Sequence, residues 1–243
     1  MSTLIIIPTF NERENIVSLV QKILTLPDEF EVLVVDDNSP DGTAAAVQEN
    51  FQKSPRVHLL LRERKMGLGT AYSAGFRHAI EKGYGNAMTM DADFSHNPDH
   101  IPQIFAALGS NDMVIGSRYV PGGRTVNWGV MRKIISRFAN LLAHSFLSMK
   151  PADCTSGFRL YRAETLKALD FESVVANGYS YLVEILFRAG RNHLRICEVP
   201  ITFEDRRIGK SKISRKEIIN AIRTIIRLRL HPPAVGGHVV VRA

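Results

Sequence analysis

The sequence predicts an α/β fold in which a doubly wound, mostly parallel sheet is flanked by helices in a single domain. Short runs rich in Val, Ile and Leu alternate with helical stretches, an order typical of a parallel sheet. The runs are apolar throughout, which indicates strands buried on both faces. The chain of 243 residues is 45% hydrophobic, enough for one domain with a substantial core.

Six strands and four intervening helices are predicted in order along the chain. The strands are Leu4–Ile7, Glu31–Val35, Val57–Leu61, Ala87–Met90, Met113–Ile115 and Leu194–Val199. The helices are Asn11–Leu24, Asp41–Phe51, Leu68–Glu81 and Pro98–Leu108. The first helix carries Ile16, Leu19, Val20 and Ile23 at helical spacing, and the fourth has a proline in its first turn.

Two later helices, Ile134–Met149 and Ile213–Leu230, combine apolar rows with basic residues. Their rows are Ile134, Ile135, Phe138, Leu141, Leu142 and Phe146 in the first helix, and Ile218, Ile219, Ile222, Ile225 and Ile226 in the second. Lys216, Arg223 and Arg227 flank the second row. Two interpretations are open: ordinary packing against the sheet, or a position in a membrane interface with the basic residues at the headgroups.

The net charge of +7 is unevenly distributed. Residues 1–63 hold ten acidic and five basic side chains, whereas residues 205–230 hold nine basic and two acidic ones. This basic segment indicates a phosphate, a nucleic acid or an anionic membrane surface as a partner, with a solvated helix face as the alternative. Residues 231–243, with two prolines and two glycines, are predicted to form a flexible tail.

Cysteine usage and hydropathy favour a cytoplasmic protein. Cys154 and Cys197 lie far apart without a CxxC spacing, so we expect reduced thiols without a metal or redox role. No apolar stretch reaches the ~20 residues of a membrane-spanning helix. The apolar run Leu4–Ile7 has no basic segment before it and ends at Pro8, so we expect no signal peptide.

Two acidic clusters follow apolar runs, one at Asp36–Asp41 and the other at Asp91–Asp93. Ligands of open α/β sheets bind at the carboxyl ends of the strands, where these clusters are predicted to lie. Carboxylates gathered there would repel one another without a cation. Because Asp91 and Asp93 can share one side of an extended segment and Mg²⁺ takes one or two carboxylates together with phosphates, a divalent metal and a phosphorylated ligand are predicted.

Other nucleotide-binding and catalytic motifs are incomplete. Gly67-Leu68-Gly69 lacks the third glycine of a dinucleotide fingerprint, and Gly209-Lys210-Ser211 has Glu204 where a P-loop requires glycine. No Ser-His-Asp or zinc pattern is present. His96 and His100 flank the Asp91 loop, where a polar loop explains them as well as metal ligation does.

Taken together, the motifs resemble the family-2 glycosyltransferases with the Rossmann-like GT-A fold. The matching segments are Ile6–Glu12, Val35–Thr43, Met90–Asp93 and Gly116–Tyr119. Further matches resemble the polyprenol (dolichol) phosphate mannose synthases: Asn127-Trp128 with Arg132-Lys133, Ser156–Arg159, and Asp205-Arg206 followed by Gly209-x-Ser211-Lys212. The resemblance covers about residues 3–212. It implies a catalytic domain over residues 1–204, with a basic donor-clamp loop and an amphipathic helix of the same domain over 205–230.

The resemblance implies a donor site and a metal site. Donor-binding positions are Pro8, Phe10, Glu12, Val35, Asp37, Asp91, Ala92 and Asp93, with Arg206 and Lys212 as cationic clamps on the diphosphate. Asp91 and Asp93 would hold Mg²⁺ or Mn²⁺. Some relatives use a glutamine at the position of Ser95 as a third metal ligand; this chain departs there, so Ser95 is a weak candidate that would act through water or not at all. For Glu12 the alternative is a carboxylate interacting with a helix dipole, and Asp41 is better interpreted as a helix cap.

The resemblance further implies a lipid monophosphate as acceptor. With a second pKa of about 6, such a phosphate is largely ionised at neutral pH and needs no strong base. Arg118, Arg132 and Ser136 are the candidates for binding it, and Asp91, Asp93, Arg118 and Arg132 are the candidate catalytic residues. For any single arginine, the alternative is a surface ion pair.

The expected reaction transfers mannose from GDP-mannose to a polyprenyl phosphate by direct displacement with inversion. Another donor such as UDP-glucose stays open, whereas the complete acidic set argues against a non-catalytic sugar-nucleotide sensor. A nucleic-acid-binding protein is disfavoured because it leaves Asp91 and Asp93 unexplained. We expect peripheral attachment to the cytoplasmic face of a membrane, through the two late helices or through a separate membrane-anchoring subunit.

Overall fold

The structure is a computed structural model that describes residues 2–27, 29–205 and 215–235, with the side chains of the last segment described from residue 219. The strands in these ranges are β1 (Thr3–Thr9), β2 (Phe30–Asp36), β3 (Val57–Leu61), β4 (Asn86–Thr89), β5 (Met113–Ser117), β6 (Arg124–Val126), β7 (Arg159–Arg162), β8 (Ile196–Pro200) and β9 (Thr202–Glu204). The helices are α1 (Arg13–Leu24), α2 (Thr43–Phe51), α3 (Leu68–Glu81), α4 (Ile101–Ala106), α5 (Val130–Leu147), α6 (Ala163–Ala168), α7 (Tyr179–Arg191) and α8 (Arg215–Leu230).

The main sheet has the strand order β3-β2-β1-β4-β7-β5-β8. Strand β7 runs antiparallel to both β4 and β5, while the other neighbouring pairs are parallel. The mostly parallel α/β sheet predicted from the sequence is thereby confirmed. A second, two-stranded sheet joins β6 to β9.

Alternate side chains of β1 supply the two layers of the core. Ile5 and Ile7 pack in one cluster with apolar residues of α1, α2 and α4. Leu4 and Ile6 pack in the other cluster with residues of α3, α6 and α7. Because successive side chains of a strand point to opposite faces, one apolar run supports both helical layers.

Strand β7 and helices α6 and α7 were not predicted from the sequence. Strand β7 is short, and Arg159 and Arg162 at its ends conceal its apolar character. Arg159 is nonetheless fully buried, and its guanidinium donates to the carbonyl oxygens of Leu182 and Cys154 at 2.7 and 2.9 Å. The burial of this segment therefore depends on carbonyl partners that are distant in the sequence.

Helix α5 presents its apolar row outward. Its buried residues are Ser136, Asn140, Ala143 and Leu147, whereas the exposed ones include Val130, Met131, Ile134, Phe138, Leu141 and Phe146. Packing of this apolar row against the sheet, one of the two interpretations of the sequence, is therefore wrong. Helix α8 packs on α5 and α7 through Ile225 and Leu228, and Ile219, Ile222 and Ile226 remain exposed. Across the described ranges, every helix is too short or too polar to span a bilayer.

Candidate active site

The carboxyl ends of β1 and β2 form the first wall of the candidate site. Asp36 is fully buried and accepts hydrogen bonds from the hydroxyls of Thr9 and Ser39 at 2.7 and 2.6 Å. Asp37, a predicted donor ligand, forms a buried ion pair with Arg62 and accepts a hydrogen bond from the amide of Met66 at 3.2 Å. Asp37 is therefore held in a fixed orientation at the strand end.

The other predicted donor positions on this wall differ in accessibility. Pro8 and Phe10 are half-buried, and the ammonium of Lys65 lies 4.0 Å from the centroid of the Phe10 ring. Glu12 immediately precedes α1 and accepts a hydrogen bond from the Asn15 amide at 2.9 Å. The side chain of Val35 belongs to the core, so a contact with a donor would have to come from its main chain.

Asp41, predicted as a helix cap, lies one residue before Gly42, the N-cap residue of α2, and its side chain binds the first residue of that helix, Thr43. Its carboxylate accepts from the amide and hydroxyl of Thr43 at 3.0 and 2.6 Å, and from the amide of Arg13 at 3.1 Å. Burial opposes ionisation, but these hydrogen bonds outweigh it and lower the pKa of Asp41. The carboxylate therefore joins the start of α1 to the start of α2.

The second acidic cluster follows β4. Asp91 has 35% of its side chain exposed, and its Oδ1 accepts a hydrogen bond from the Tyr72 hydroxyl at 3.3 Å. Asp93 is buried, and its Oδ1 accepts from the amide and hydroxyl of Ser95 at 3.1 and 2.5 Å. The predicted metal candidate Ser95 thus orients Asp93. Ala92, between the two carboxylates, packs into the core.

The two histidines of this loop have structural partners. The Asp91 amide donates to Nδ1 of His96 at 2.9 Å, and the Thr202 amide donates to Nε2 of His100 at 3.1 Å. His96 is 1% exposed and stacks on Phe158 with ring centroids 5.0 Å apart. Burial lowers the pKa of His96, which favours the neutral ring that this hydrogen bond requires. A polar loop therefore accounts for both histidines.

The residues present fit a divalent metal that is completed by its ligand. No cluster of three or more His, Cys, Asp or Glu side chains suited to a metal occurs in the part of the chain that the structure describes. A partly exposed Asp91 beside an oriented Asp93 instead offers the small carboxylate set that Mg²⁺ uses when phosphates and waters complete its shell.

Arg118, after β5, forms a buried ion pair with Asp153. Its Nε and Nη2 donate to the two carboxylate oxygens at 2.7 and 2.6 Å, and Nη2 also donates to Thr155 at 2.7 Å. Burial alone would lower the pKa of Arg118, but the Asp153 carboxylate reverses this effect and raises it. Two of the three guanidinium nitrogens thus have partners within the protein, which limits how Arg118 could meet an acceptor phosphate.

Arg132 lies in the first turn of α5, beside an aromatic cluster. Its guanidinium carbon is 4.2 Å from the centroid of the Trp128 ring, and Nη1 forms an ion pair with Asp205. Arg118 also lies 5.3 Å from the Trp128 ring, and the buried indole nitrogen has no hydrogen-bond partner among the described residues. The guanidinium groups of Arg118 and Arg132 therefore both lie against the Trp128 ring.

Ser136 lies one turn along α5 from Arg132. It is buried and accepts a hydrogen bond from the Tyr119 hydroxyl at 2.7 Å. The structure thus brings all three predicted acceptor residues to one region, around Tyr119 and Trp128. The predicted donor clamps Arg206 and Lys212 fall outside the described residues.

An aromatic stack connects the acidic loop to the arginine cluster. Phe203 of β9 packs edge-on against His96 and against Trp128, with ring centroids 5.3 Å apart in both pairs. His96 in turn bonds the main chain of Asp91. Sequence reasoning missed Arg62, Tyr72, Asp153 and Phe203, because each acts through a partner far away in the chain and belongs to no short motif.

Comparison with known proteins identifies the family. The model of glycosyl transferase family 2 matches residues 4–170. The chain belongs to this family. It is 44% identical over 227 residues to the undecaprenyl-phosphate mannosyltransferase of Micrococcus luteus, covering 93% of each chain. It is 42% identical over 222 residues to the polyprenol monophosphomannose synthase of Mycolicibacterium smegmatis, covering 90% of this chain and 84% of that protein. The resemblance inferred from the motifs is thereby confirmed.

Solved structures support the GT-A fold of this glycosyltransferase. Glucosyl-3-phosphoglycerate synthase from Mycobacterium tuberculosis, in complex with phosphoglyceric acid, superposes with a TM-score of 0.70 at 18% identity, covering 96% of this chain and 81% of that one. The same enzyme with Mn²⁺, UDP and glucosyl-3-phosphoglycerate gives a TM-score of 0.67 at 19% identity, covering 97% of this chain and 82% of that one. At this level of identity, the similarity shows a shared fold.

Proposed function

We propose that the protein transfers mannose from GDP-mannose to a polyprenyl monophosphate, with inversion and with Mg²⁺ or Mn²⁺ at Asp91 and Asp93. The names of the two sequence relatives support mannosyl transfer to a polyprenyl phosphate. The observation that carries the proposal is that His96, Phe203 and Trp128 connect the acidic loop at Asp91–Asp93 to the arginine cluster. A metal-bound diphosphate donor and an anionic acceptor require this combination of charges.

The proposed roles follow from the chemistry of the two substrates. Phe10, Glu12 and Asp37 lie where the nucleotide of the donor would bind, at the ends of β1 and β2. A divalent metal on Asp91 and Asp93 would neutralise charge on the departing diphosphate. We assign Arg206 and Lys212 to the same diphosphate, as cationic clamps.

Arg132 and Ser136, with Arg118 behind them, are assigned to the acceptor phosphate. The phosphate is already ionised near pH 7, with a second pKa of about 6, so it attacks without a general base. The neutral, buried His96 fits this scheme, because its Nδ1 accepts a main-chain hydrogen bond.

The outward row of α5 supports attachment to a membrane surface. It begins with Val130 and Met131, which are 74% and 67% exposed and flank the start of the acceptor cluster at Arg132. A polyprenyl chain whose phosphate lies at Arg132 could therefore continue along this row into the bilayer. We propose peripheral attachment to the cytoplasmic face through α5 and α8, with a separate anchoring subunit as the alternative.

A donor and acceptor panel tests the proposal. Purified protein is given radiolabelled GDP-mannose, UDP-glucose or UDP-N-acetylglucosamine, with a short polyprenyl phosphate or the corresponding alcohol and Mn²⁺ or Mg²⁺. We expect labelled lipid only from GDP-mannose with the phosphorylated acceptor, and β-linked product when the donor is α-linked. Transfer from UDP-glucose alone would replace the donor assignment, and transfer to the alcohol would contradict the acceptor assignment.

The metal assignment has its own test. Asp91→Asn removes one carboxylate charge at little change in size, so we expect loss of more than about 99% of the activity with an unchanged circular dichroism spectrum. EDTA should have the same effect on the wild-type protein, reversed by added Mn²⁺. Asp99→Asn, which removes the exposed partner of Lys22 away from the site, is the control and should remain active. Full activity of Asp91→Asn in EDTA would contradict the assignment.

A further inference from the structure

Asp91 is held by hydrogen bonds to its main chain and to its carboxylate. Its amide donates to Nδ1 of His96 at 2.9 Å, and its Oδ1 accepts a hydrogen bond from the Tyr72 hydroxyl at 3.3 Å. Gly157 lies close by, since a Cβ added there would be 3.7 Å from that same oxygen. The main chain of Asp91 and one of its carboxylate oxygens are therefore positioned by His96 and Tyr72, which both lie outside the matched family motifs.

Tyr72 reaches Asp91 from within the core. It lies on α3, is fully buried, and stacks with Phe76 and Tyr181 at centroid distances of 6.4 and 6.3 Å. A ring packed in this way cannot change rotamer freely. Its hydroxyl is thus presented to Asp91 from a rigid support, whereas Asp91 itself is one-third exposed.

Gly157 lies beside the hydrogen bond between Tyr72 and Asp91. Its carbonyl oxygen accepts a hydrogen bond from Thr89 at the end of β4 at 2.7 Å, which fixes the glycine against the strand that precedes Asp91. An added Cβ would lie 3.4 Å from the Tyr72 hydroxyl and 3.5 Å from Cε1 of His96. These are ordinary van der Waals distances, so an alanine would be sterically tolerated there.

We infer that Tyr72 is a positioning residue for the metal-binding carboxylate of Asp91. The hydroxyl of Tyr72 donates to Oδ1 and so limits rotation of the carboxylate that would hold the metal, while His96 fixes the main chain and lies 3.9 Å from Oδ2. Hydrogen-bond partners of metal ligands commonly change metal affinity or activity 10- to 100-fold when removed. The inference rests on the proposed metal site at Asp91 and Asp93, and it assigns to α3 a role in catalysis through that site.

Tyr72→Phe removes the hydroxyl and keeps the packed ring. The test measures binding of Mn²⁺ in the presence of GDP by the electron paramagnetic resonance signal of free Mn²⁺, which does not depend on turnover. We expect the dissociation constant for Mn²⁺ to rise about tenfold. In kinetics, the Mn²⁺ concentration for half-maximal rate should rise by a similar factor, with an unchanged KM for the lipid phosphate.

Tyr181→Phe is the matched control, because the Tyr181 hydroxyl is also buried but pairs with Ser73 at 3.1 Å instead of Asp91. It should bind Mn²⁺ like the wild-type protein. Equal Mn²⁺ affinity of Tyr72→Phe and Tyr181→Phe would overturn the inference.

Asp91→Asn distinguishes a failure of the inference about Tyr72 from a failure of the proposed function. If the wild-type protein binds Mn²⁺ with GDP, Asp91→Asn does not, and Tyr72→Phe binds normally, then the metal site stands and the role of Tyr72 is wrong. If Asp91→Asn binds Mn²⁺ as the wild-type protein does, the metal site itself is wrong, and the inference falls with it.

Discussion

At the scale of single residues, the most consequential arrangement is the buried pair of Arg118 and Asp153. Asp153 is fully buried, and its oxygens accept from the Arg118 guanidinium and main-chain amide. Two amides, of Ala152 and Asp153, in turn donate to Glu198 at 2.7 and 3.0 Å. The arginine expected to bind the acceptor is thus a structural element of the loop that supports the site.

Breaking this pair should be costly. Asp153→Ala leaves a buried guanidinium without its counter-charge, and we expect the free energy of unfolding in urea to fall by about 3 kcal/mol or more. Glu172→Ala removes the partner of Arg77 from a pair whose side chains are 53% and 56% exposed, and should cost less than about 1 kcal/mol. Equal losses for the two variants would show that the buried pair contributes no more than a surface pair.

The ion pair between Arg118 and Asp153 also makes the free energy of unfolding depend on pH. Burial by itself would raise the pKa of Asp153, but the Arg118 guanidinium outweighs it and holds the pKa below the ordinary value of 3.8. A carboxyl whose pKa is lower in the folded state than in the unfolded state stabilises the fold. This stabilisation is complete at a pH above the ordinary pKa, and it is lost as the pH falls through the folded-state pKa. The stability difference between wild-type protein and Asp153→Ala should therefore be constant from pH 7 to 5 and shrink only below about 3.8.

At the scale of elements, α5 buries its small and polar residues and exposes its large apolar ones. Its small and polar residues Ser136, Asn140 and Ala143 face inward, where Asn140 donates to the Ser136 carbonyl and accepts from the Cys154 amide at 2.9 and 2.7 Å. The large apolar residues consequently face outward. A surface helix of a globular protein normally has the reverse arrangement, so this face is suited to a bilayer.

Helix α8 contributes less to such a surface than its sequence suggests. The exposed Arg223 fits a basic flank, but Arg227 forms an ion pair with the fully buried Glu184, which also accepts from Arg188 at 3.2 Å. Neutralising Arg227 would therefore disturb the contact between α7 and α8. The side chain of Lys216 lies outside the described residues.

The outward face of α5 should control attachment to lipid. Phe138 and Leu141 are 53% and 58% exposed, so Phe138→Ser with Leu141→Ser should change the stability of the fold little. Because full burial of such side chains is worth about 1.5–3 kcal/mol each, vesicle binding in a sedimentation assay should fall at least tenfold. Val175→Ser, at an 81% exposed position outside the helices, is the control and should bind like the wild-type protein.

At the scale of the whole molecule, acidic and basic residues are separated along the chain. The first 63 residues are acidic and include β1, β2 and β3, whereas the net charge of the whole chain is +7. Positive charge on an apolar surface strengthens attachment to anionic lipid by about 1 kcal/mol per residue near the membrane. The excess of basic residues is therefore consistent with the proposed peripheral attachment.

Salt should separate the two contributions to membrane binding. The Debye length shrinks from about 10 Å at 0.1 M to about 3 Å at 1 M ionic strength. We expect binding to vesicles with anionic lipid to weaken over this range, while binding to neutral vesicles, driven by apolar burial, stays constant or strengthens. Salt-independent binding to anionic vesicles would mean that the basic residues serve the substrates alone.

The sequence by itself determined the strands and helices of the first half, the fold class and the acidic clusters at strand ends. Apolar runs and helical periodicity are local properties, and parallel strands necessarily bring Asp36 and Asp91 to one edge. Only the tertiary structure decided that β7 inserts antiparallel between β4 and β5, that α5 faces outward, and that Tyr72 contacts Asp91. These outcomes depend on pairings between distant segments, whose free energy arises from packing and burial that no local pattern encodes.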